Sequence, residues 1–323
     1  MIDSVTIKIV DEQFVLFEPD EHFGKMKCQV FRGLYGVFGR YWVRHTDFAR
    51  KEKKRGHYFP LVSVVYDERR KRRVGAKSNV RRWLLVQVSV PKLLYGTSLF
   101  DVDERMLDLF AERLKEQLRH VNIVVESPAI KESVIQRVDY SKILKISPTY
   151  GEPRKIIREL ASFDYKPSSD FNLNTHHNGK DDEKGHYVKF YNSSQGLVIY
   201  DKLDEIDSKG TTKMEAEIRG QYRQGKFTKG ALRIELSLQK KQTADSVLSR
   251  FIKGKKKDFT LKEAFSSSIS KALLKETFRK VYVEGFGGLM RLSRLKDAEL
   301  YRHVKANVSN LKQRGIVYML AHR

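Results

Sequence analysis

The sequence predicts an α+β fold: a largely antiparallel sheet or sheets with packed helices, followed by a mainly helical C-terminal region. Three observations carry that expectation. Segments of period-two, β-branched and aromatic composition recur as far as Leu238. They come in runs and as a hairpin rather than alternating one by one with helices, which argues against a doubly wound sheet. No Gly-x-x-x-x-Gly-Lys-Ser/Thr element is present, so nothing points to a P-loop nucleotide site.

The elements follow in order. Val5-Thr-Ile-Lys-Ile-Val10 alternates apolar and polar residues, and Leu61-Val-Ser-Val-Val-Tyr66 and Trp83-Leu-Leu-Val-Gln-Val-Ser-Val90 are rich in β-branched and aromatic side chains. Pro91 stops the last of these. Asp101 with Glu104 reads as a helix start, and Leu107, Phe110, Leu114 and Leu118 follow at helical spacing. Val121–Val125 begins another strand, and Ser133–Tyr140 is a further one. A helix is expected from about Pro153 to Phe163, then a polar loop from Lys166 to Lys184. Gly185–Tyr191 and Gly196–Tyr200 form a hairpin around Asn192-Ser-Ser-Gln195, residues 202–225 read as helical, and Ala231–Leu238 is the cleanest strand. Helices are expected at about 244–253, 260–282 and 296–313. The domain division that follows is a catalytic α+β region over 1–243 and a basic helical accessory region over 244–323.

With 323 residues and 40% hydrophobic content, the chain can bury one large core or two smaller ones. Cys28 is the single cysteine, which excludes a disulfide framework or a cysteine-based metal site within one chain. The N-terminus lacks a signal-peptide pattern. No apolar run approaches the roughly 20 residues that span a bilayer, so a cytoplasmic location without a membrane partner is expected. The formal charge of +23 points to a polyanion. Residues 50–82 hold thirteen Lys/Arg against three acids, and residues 246–323 hold eighteen against six. The candidate DNA contacts are Lys53, Lys54, Arg55, Arg69, Arg70, Lys71, Arg72, Arg73, Arg81 and Arg82 in the first cluster. Lys255, Lys256 and Lys257 in the second cluster join them, as does Lys189 in the hairpin.

Alternation across strands groups the polar residues. Arg137 shares a face with Asp139, Arg233 with Glu235 and Ser237, Tyr200 with Lys202, and Tyr187 with Lys189 and Tyr191. If these strands are neighbours, the faces meet. A tyrosine, with an ordinary pKa near ~10, needs a cation or a base to attack a phosphodiester. Carboxylates such as Asp139 and Glu235 suit Mg²⁺ or Mn²⁺, and such an ion polarises phosphate. The competing readings are an ordinary strand tyrosine and structural Arg–carboxylate pairs. His176-His177 reads as solvated, because adjacent residues on an extended chain point apart.

On these residues the chain resembles the gene II replication initiators of filamentous bacteriophages and their phage and plasmid relatives, which nick DNA to begin rolling-circle replication. The similar stretches come in order. They are the Met1-Ile-Asp start, Val88-Ser-Val-Pro-Lys-Leu-Leu-Tyr-Gly-Thr-Ser-Leu-Phe100 with its following helix, Gln136-Arg-Val-Asp139, Val198-Ile-Tyr-Asp-Lys202 and Leu232-Arg-Ile-Glu235. They cover roughly residues 1–250. The Arg-x-Asp, Tyr-x-Lys, Arg-x-Glu order is also similar to the Rep_trans initiators of Gram-positive plasmids.

The resemblance implies a metal-dependent, site-specific endonuclease that forms a 5′-phosphotyrosyl intermediate and leaves a 3′-hydroxyl primer. It places Tyr200 as nucleophile with Tyr191 as the rival on the adjoining arm, and Lys202 as cationic neighbour. Asp139 and Glu235 would be metal ligands or phosphate-site carboxylates, and Arg137 and Arg233 would hold those carboxylates or a phosphate. It implies origin DNA as partner and a host helicase beside it. The His-hydrophobic-His motif of many rolling-circle initiators is absent, so a histidine-bound metal is not expected. The alternative is a non-catalytic, sequence-specific DNA-binding regulator, which the charge alone would equally serve.

Overall fold

In a computed structural model of the chain, residues 1–17, 27–33, 36–44, 46–69, 79–147, 152–162, 172–175 and 187–281 are described. Their elements are β1 (Ile2–Val10), β2 (Phe14–Leu16), β3 (Lys27–Gly33), β4 (Gly36–Arg44), α1 (Thr46–Lys54), β5 (Leu61–Arg69), β6 (Asn79–Ser89) and α2 (Val90–Tyr95). Next come α3 (Leu107–Arg119), β7 (Ile123–Val125), α4 (Ser127–Lys131), β8 (Val134–Ile146), α5 (Pro153–Ser162), β9 (Asn172–Thr175), β10 (Tyr187–Tyr191) and β11 (Gln195–Asp201). The chain continues with α6 (Lys202–Lys209), α7 (Lys213–Arg223), β12 (Gly230–Leu238), α8 (Lys241–Leu248), α9 (Leu261–Ala264) and α10 (Ser267–Arg279). The class is α+β, as the sequence predicts. The expected helix at 296–313, the His176-His177 pair and Arg70, Lys71, Arg72 and Arg73 lie outside the described residues, as do the side chains of residues 67–80, Arg69 among them.

The chain forms two compact units, each assembled from separated segments. The first comprises Met1–Asp139, Thr211–Met214 and Gln239–Ile269. Its strands run in the order β3-β4-β5-β6-β1 and then the first part of β8. The β3–β4, β4–β5, β5–β6 and β1–β6 pairs are antiparallel. On β1 the alternation sends Val5, Ile7 and Ile9 into the core, while Ser4, Thr6 and Lys8 stay half-buried on the other face. Strand β6 buries Leu84, Val86 and Val88 in step with them. Pro91 sits in the first turn of α2, where its missing N–H costs nothing, and ends the strand as expected.

Helix α3 turns Phe110, Leu114 and Leu118 fully inward, each contributing roughly 1.5–3 kcal/mol of burial. Its entry differs by two residues from the sequence expectation. Asp103, not Asp101, accepts from the Arg105 amide and caps a short 3₁₀ turn ahead of the helix. The late segment of this unit supplies buried Phe259, Leu261 and Phe265. The Phe265 ring stands 6.1 Å from Phe110. A capping box between Thr260 and Glu263 opens α9.

The second unit comprises Tyr140–Gly210, Glu215–Leu238 and the chain from Ser270. Its strands run from the second part of β8 through β12, β11 and β10 to β9, with β12–β11, β11–β10 and β10–β9 antiparallel. Val188, Phe190, Leu197, Ile199, Leu232 and Leu236 fill one face, and α5 adds Ile156, Ile157 and Leu160 to the core. The hairpin turn forms where expected. The Asn192 side-chain oxygen accepts from the amides of Ser194 and Gln195, an Asx turn that fixes the register. Residues 202–225 are helical as read, split into α6 and α7. Strand β9, inside the stretch expected to be loop, and the β3–β4 pair are additions to the expected elements.

Candidate functional site

The β11–β12 register puts Tyr200 opposite Arg233 and Val198 opposite Glu235. Tyr200 and Glu235 are therefore diagonal neighbours on one face, within reach of long side chains. The Tyr200 hydroxyl donates to Oε2 of Glu235 at 3.1 Å. The same carboxylate oxygen lies 3.4 Å from Nε of Arg233. Arg233 is only 1% exposed, and its Nη2 donates to Ser141 Oγ of β8 at 2.8 Å. A phenol, a carboxylate and a guanidinium from two adjacent strands thus meet on one polar face, with Ser141 of a third strand beside them. Glu235, at 19% side-chain exposure, still reaches solvent.

Tyr187 is the residue directly across from Tyr200 on β10. Tyr191 is four positions farther along, opposite Gly196, with the Lys189 ammonium 5.4 Å from its ring. At ~3.3 Å per residue, that offset separates the Tyr191 and Tyr200 rows by roughly 13 Å. The hairpin partner of Tyr200 is therefore Tyr187. Tyr140 is fully buried, and burial pushes its phenol well above the ordinary range.

Lys202 requires a correction. The sequence reading puts it on the strand face beside Tyr200, but β11 ends at Asp201 and Lys202 opens α6. The Asp201 carboxylate accepts from the amides of Leu203 and Asp204, and that N-cap ends the strand. Lys202 is 3% exposed and is paired with Glu205 at 2.7 Å. Its ammonium nevertheless lies 5.6 Å from the Tyr200 ring centre.

Beneath this turn is a cluster that the sequence did not reveal. Asp204 accepts from Arg154 Nε and from the Tyr222 hydroxyl, each at 2.6 Å. The bond to Asp204 raises the Arg154 pKa. Burial, and then the bond to Asp204, raises that of Tyr222. Burial, and then the charge of Asp204, pushes the Asp201 carboxyl up to about 6.

Asp139 belongs to the first unit and is 2% exposed. The Ser4 hydroxyl donates to it, and Arg137 Nε and Nη2 hold its two oxygens at 3.3 and 3.0 Å. Along β8 it precedes Ser141 by two residues, so alternation gives both the same face. The expected Arg–carboxylate pairs thus lie within strands: Arg137 with Asp139 and Arg233 with Glu235. Among the described residues, no three His, Cys, Asp or Glu side chains cluster as a metal site.

The proposed DNA contacts of the two basic clusters whose side chains are described divide into two sets. Arg55 pairs with Glu52, Arg82 with Asp11 and Lys255 with Glu263. Lys53, Lys54, Arg81, Lys256 and Lys257 are exposed.

The family model for the N-terminal region of the phage gene II replication-associated protein matches residues 71–253, more than half of the chain. The chain belongs to this family. No curated protein and no solved structure matches it. The initiator acts in DNA replication, and its partner is origin DNA. The matched stretch contains Asp139, Tyr200, Arg233 and Glu235, and it leaves β1 and α1 outside. Among the initiator's described residues, no helix is long and apolar enough to cross a membrane.

Proposed function

We propose that the protein is a site-specific, single-strand DNA endonuclease that starts rolling-circle replication, with Tyr200 as nucleophile. The observation that carries this reading is the hydrogen bond from the Tyr200 phenol to Glu235. The phenol oxygen attacks phosphorus in line with the departing 3′ oxygen, and its proton passes to the Glu235 carboxylate. The P–O3′ bond breaks and the 3′ oxygen takes a proton from water. The products are a 5′-phosphotyrosyl linkage and a free 3′ hydroxyl. Arg233 orients Glu235, and the Lys202 ammonium favours negative charge on the phenol oxygen. Tyr191 is the rival nucleophile, but it lies four register positions away from the Glu235-bonded ring.

Mg²⁺ or Mn²⁺ belongs to the proposal. Glu235, which still reaches solvent, is by donor chemistry a candidate ligand, and Asp139 is a second candidate taken by itself, since such ions take one or two carboxylates and fill the remaining positions with water and phosphate. A bound ion would supply polarisation of the phosphate. In this reading the nicking residues lie within 1–243, with Gln239–Ile269 completing the fold of the first unit. The basic region over 244–323 adds DNA contacts and the surface offered to a host helicase in the cytoplasm.

The test is incubation with supercoiled plasmid carrying the cognate origin and Mg²⁺ or Mn²⁺. Nicked circles with covalently attached protein are expected. Tyr200→Phe abolishes the adduct and retains binding. DNA that is bound but left intact by the parent protein would establish the regulator reading instead. Transfer of the defect to Tyr191→Phe would displace Tyr200.

A further inference from the structure

Helix α1 ends in a manner that builds a groove. The Gly56 amide bonds the Lys53 carbonyl and the His57 amide bonds that of Glu52, a Schellman termination with Gly56 at φ 76°. The Lys213 amide then donates to the Gly56 carbonyl at 2.9 Å. A Cβ on Gly56 would stand 2.7 Å from Lys213 Cγ, so the 211–214 segment approaches this closely only against glycine. Between that segment and the helix lies an open groove of about 640 Å³, lined by Arg50, Lys51, Lys53, Lys54 and Thr211. The Glu52 carboxylate of α1 is taken by Arg55 and His57, each at 2.9 Å. Glu52 is absent from the lining, and so is Arg55.

We propose that this groove binds the phosphodiester backbone of duplex DNA at a point away from the cleaved linkage. The inference rests on the initiator reading and extends it to a surface outside the family match, which begins at residue 71. Cations in a last helical turn also complement the helix dipole, but that effect is confined to the turn. Thr211, which lines the opposite side of the groove, is not part of that helical turn. A small free anion is recognised by converging, buried donors. Here Lys51, Lys53 and Lys54 are exposed along an open trough, which suits a chain of phosphates that releases counterions as it docks. Arg55, although part of the same basic run, is turned to Glu52 and is not a groove contact.

The experiment compares the parent protein with a Lys51→Gln/Lys53→Gln/Lys54→Gln variant, binding duplex DNA without an origin across a salt series in EDTA. Losing three phosphate contacts lowers the log–log salt slope by about 2.7. An unchanged slope and affinity would overturn the proposal. Because a triple variant can misfold, a second measurement uses the parent protein alone: lysine acetylation mapped by peptide mass with and without saturating duplex. Protection of Lys51, Lys53 and Lys54 is expected, and equal labelling in both states overturns the proposal. Neither readout uses cleavage, so a failure of the Tyr200 chemistry leaves them intact. A parent protein that binds no duplex, with or without an origin, would overturn the groove proposal and the proposed endonuclease function together.

Discussion

Replacing Asp201 by asparagine should stabilise the protein at neutral pH and flatten part of its pH profile. Asp201 is 6% exposed and stands next to Asp204. Arg154 and Tyr222 hold Asp204, and Lys202 and Glu205 lie on the same turn of α6. Burial and the Asp204 charge favour the neutral carboxyl, so its pKa rises from 3.8 to about 6. A raised carboxyl pKa means that the folded chain binds more protons than the unfolded chain between those values. The favourable contribution is complete below about pH 4 and is lost as pH rises through about 6. A shift of about 2 units, at 1.36 kcal/mol each, amounts to about 3 kcal/mol. The carboxamide of the Asp201→Asn variant keeps an oxygen for the Leu203 and Asp204 amides and makes a good N-cap, but it never charges. Urea unfolding of both proteins at pH 5 and pH 7.5 measures the difference. The variant should gain on the parent by about 1.4 kcal/mol between the two pH values, the rest of the loss falling below pH 5. A pH-independent difference, or a variant weaker than the parent at pH 7.5, would refute the reasoning.

Glu235→Ala leaves the Arg233 guanidinium buried without its carboxylate. It should cost about 3–5 kcal/mol, read as a lowered urea midpoint, whereas Glu235→Gln should cost less. Gly56→Ala forces a side chain into the left-handed region and onto Lys213. A loss of at least about 1 kcal/mol is expected, with weakened duplex binding if the 211–214 segment shifts. Gly230→Ala would place its Cβ on the Pro153 ring, where β12 and α5 meet. Thermal unfolding should register a loss of about 1–3 kcal/mol from that overpacking.

The periodic elements were legible because their spacing is local. The α3 stripe of Phe110, Leu114 and Leu118 and the alternation of β1 and β6 name their own buried faces, whereas β12 also buries Arg233 and Ser237 on its polar face. The same alternation groups the polar faces of Tyr200 and Glu235, and the two side chains meet at 3.1 Å. Misplacing Lys202 came from extending the period through Asp201, when an Asp followed by acids at 204 and 205 is itself a helix start. Strands β3 and β4 went unread because Gly33, Gly36 and Gly39 blunt the pattern. Partners from distant sequence carried no local signal. Ser4 meets Asp139 across 135 positions, Ser141 meets Arg233 across 92, and Arg154 meets Asp204 across 50.

The discontinuous make-up of the first unit has a consequence for how the protein is synthesised and dissected. Its Ile135 amide bonds the Phe259 carbonyl, its Leu261 amide bonds the Ser133 carbonyl, and Phe265 packs near Phe110. A nascent chain that has left the ribosome only as far as residue 243 therefore still lacks hydrophobic closure for its earliest residues. Cutting the gene at that point would yield an N-terminal body without Phe259, Leu261 and Phe265, prone to aggregation and proteolysis. The two regions are better separated by substitution than by truncation.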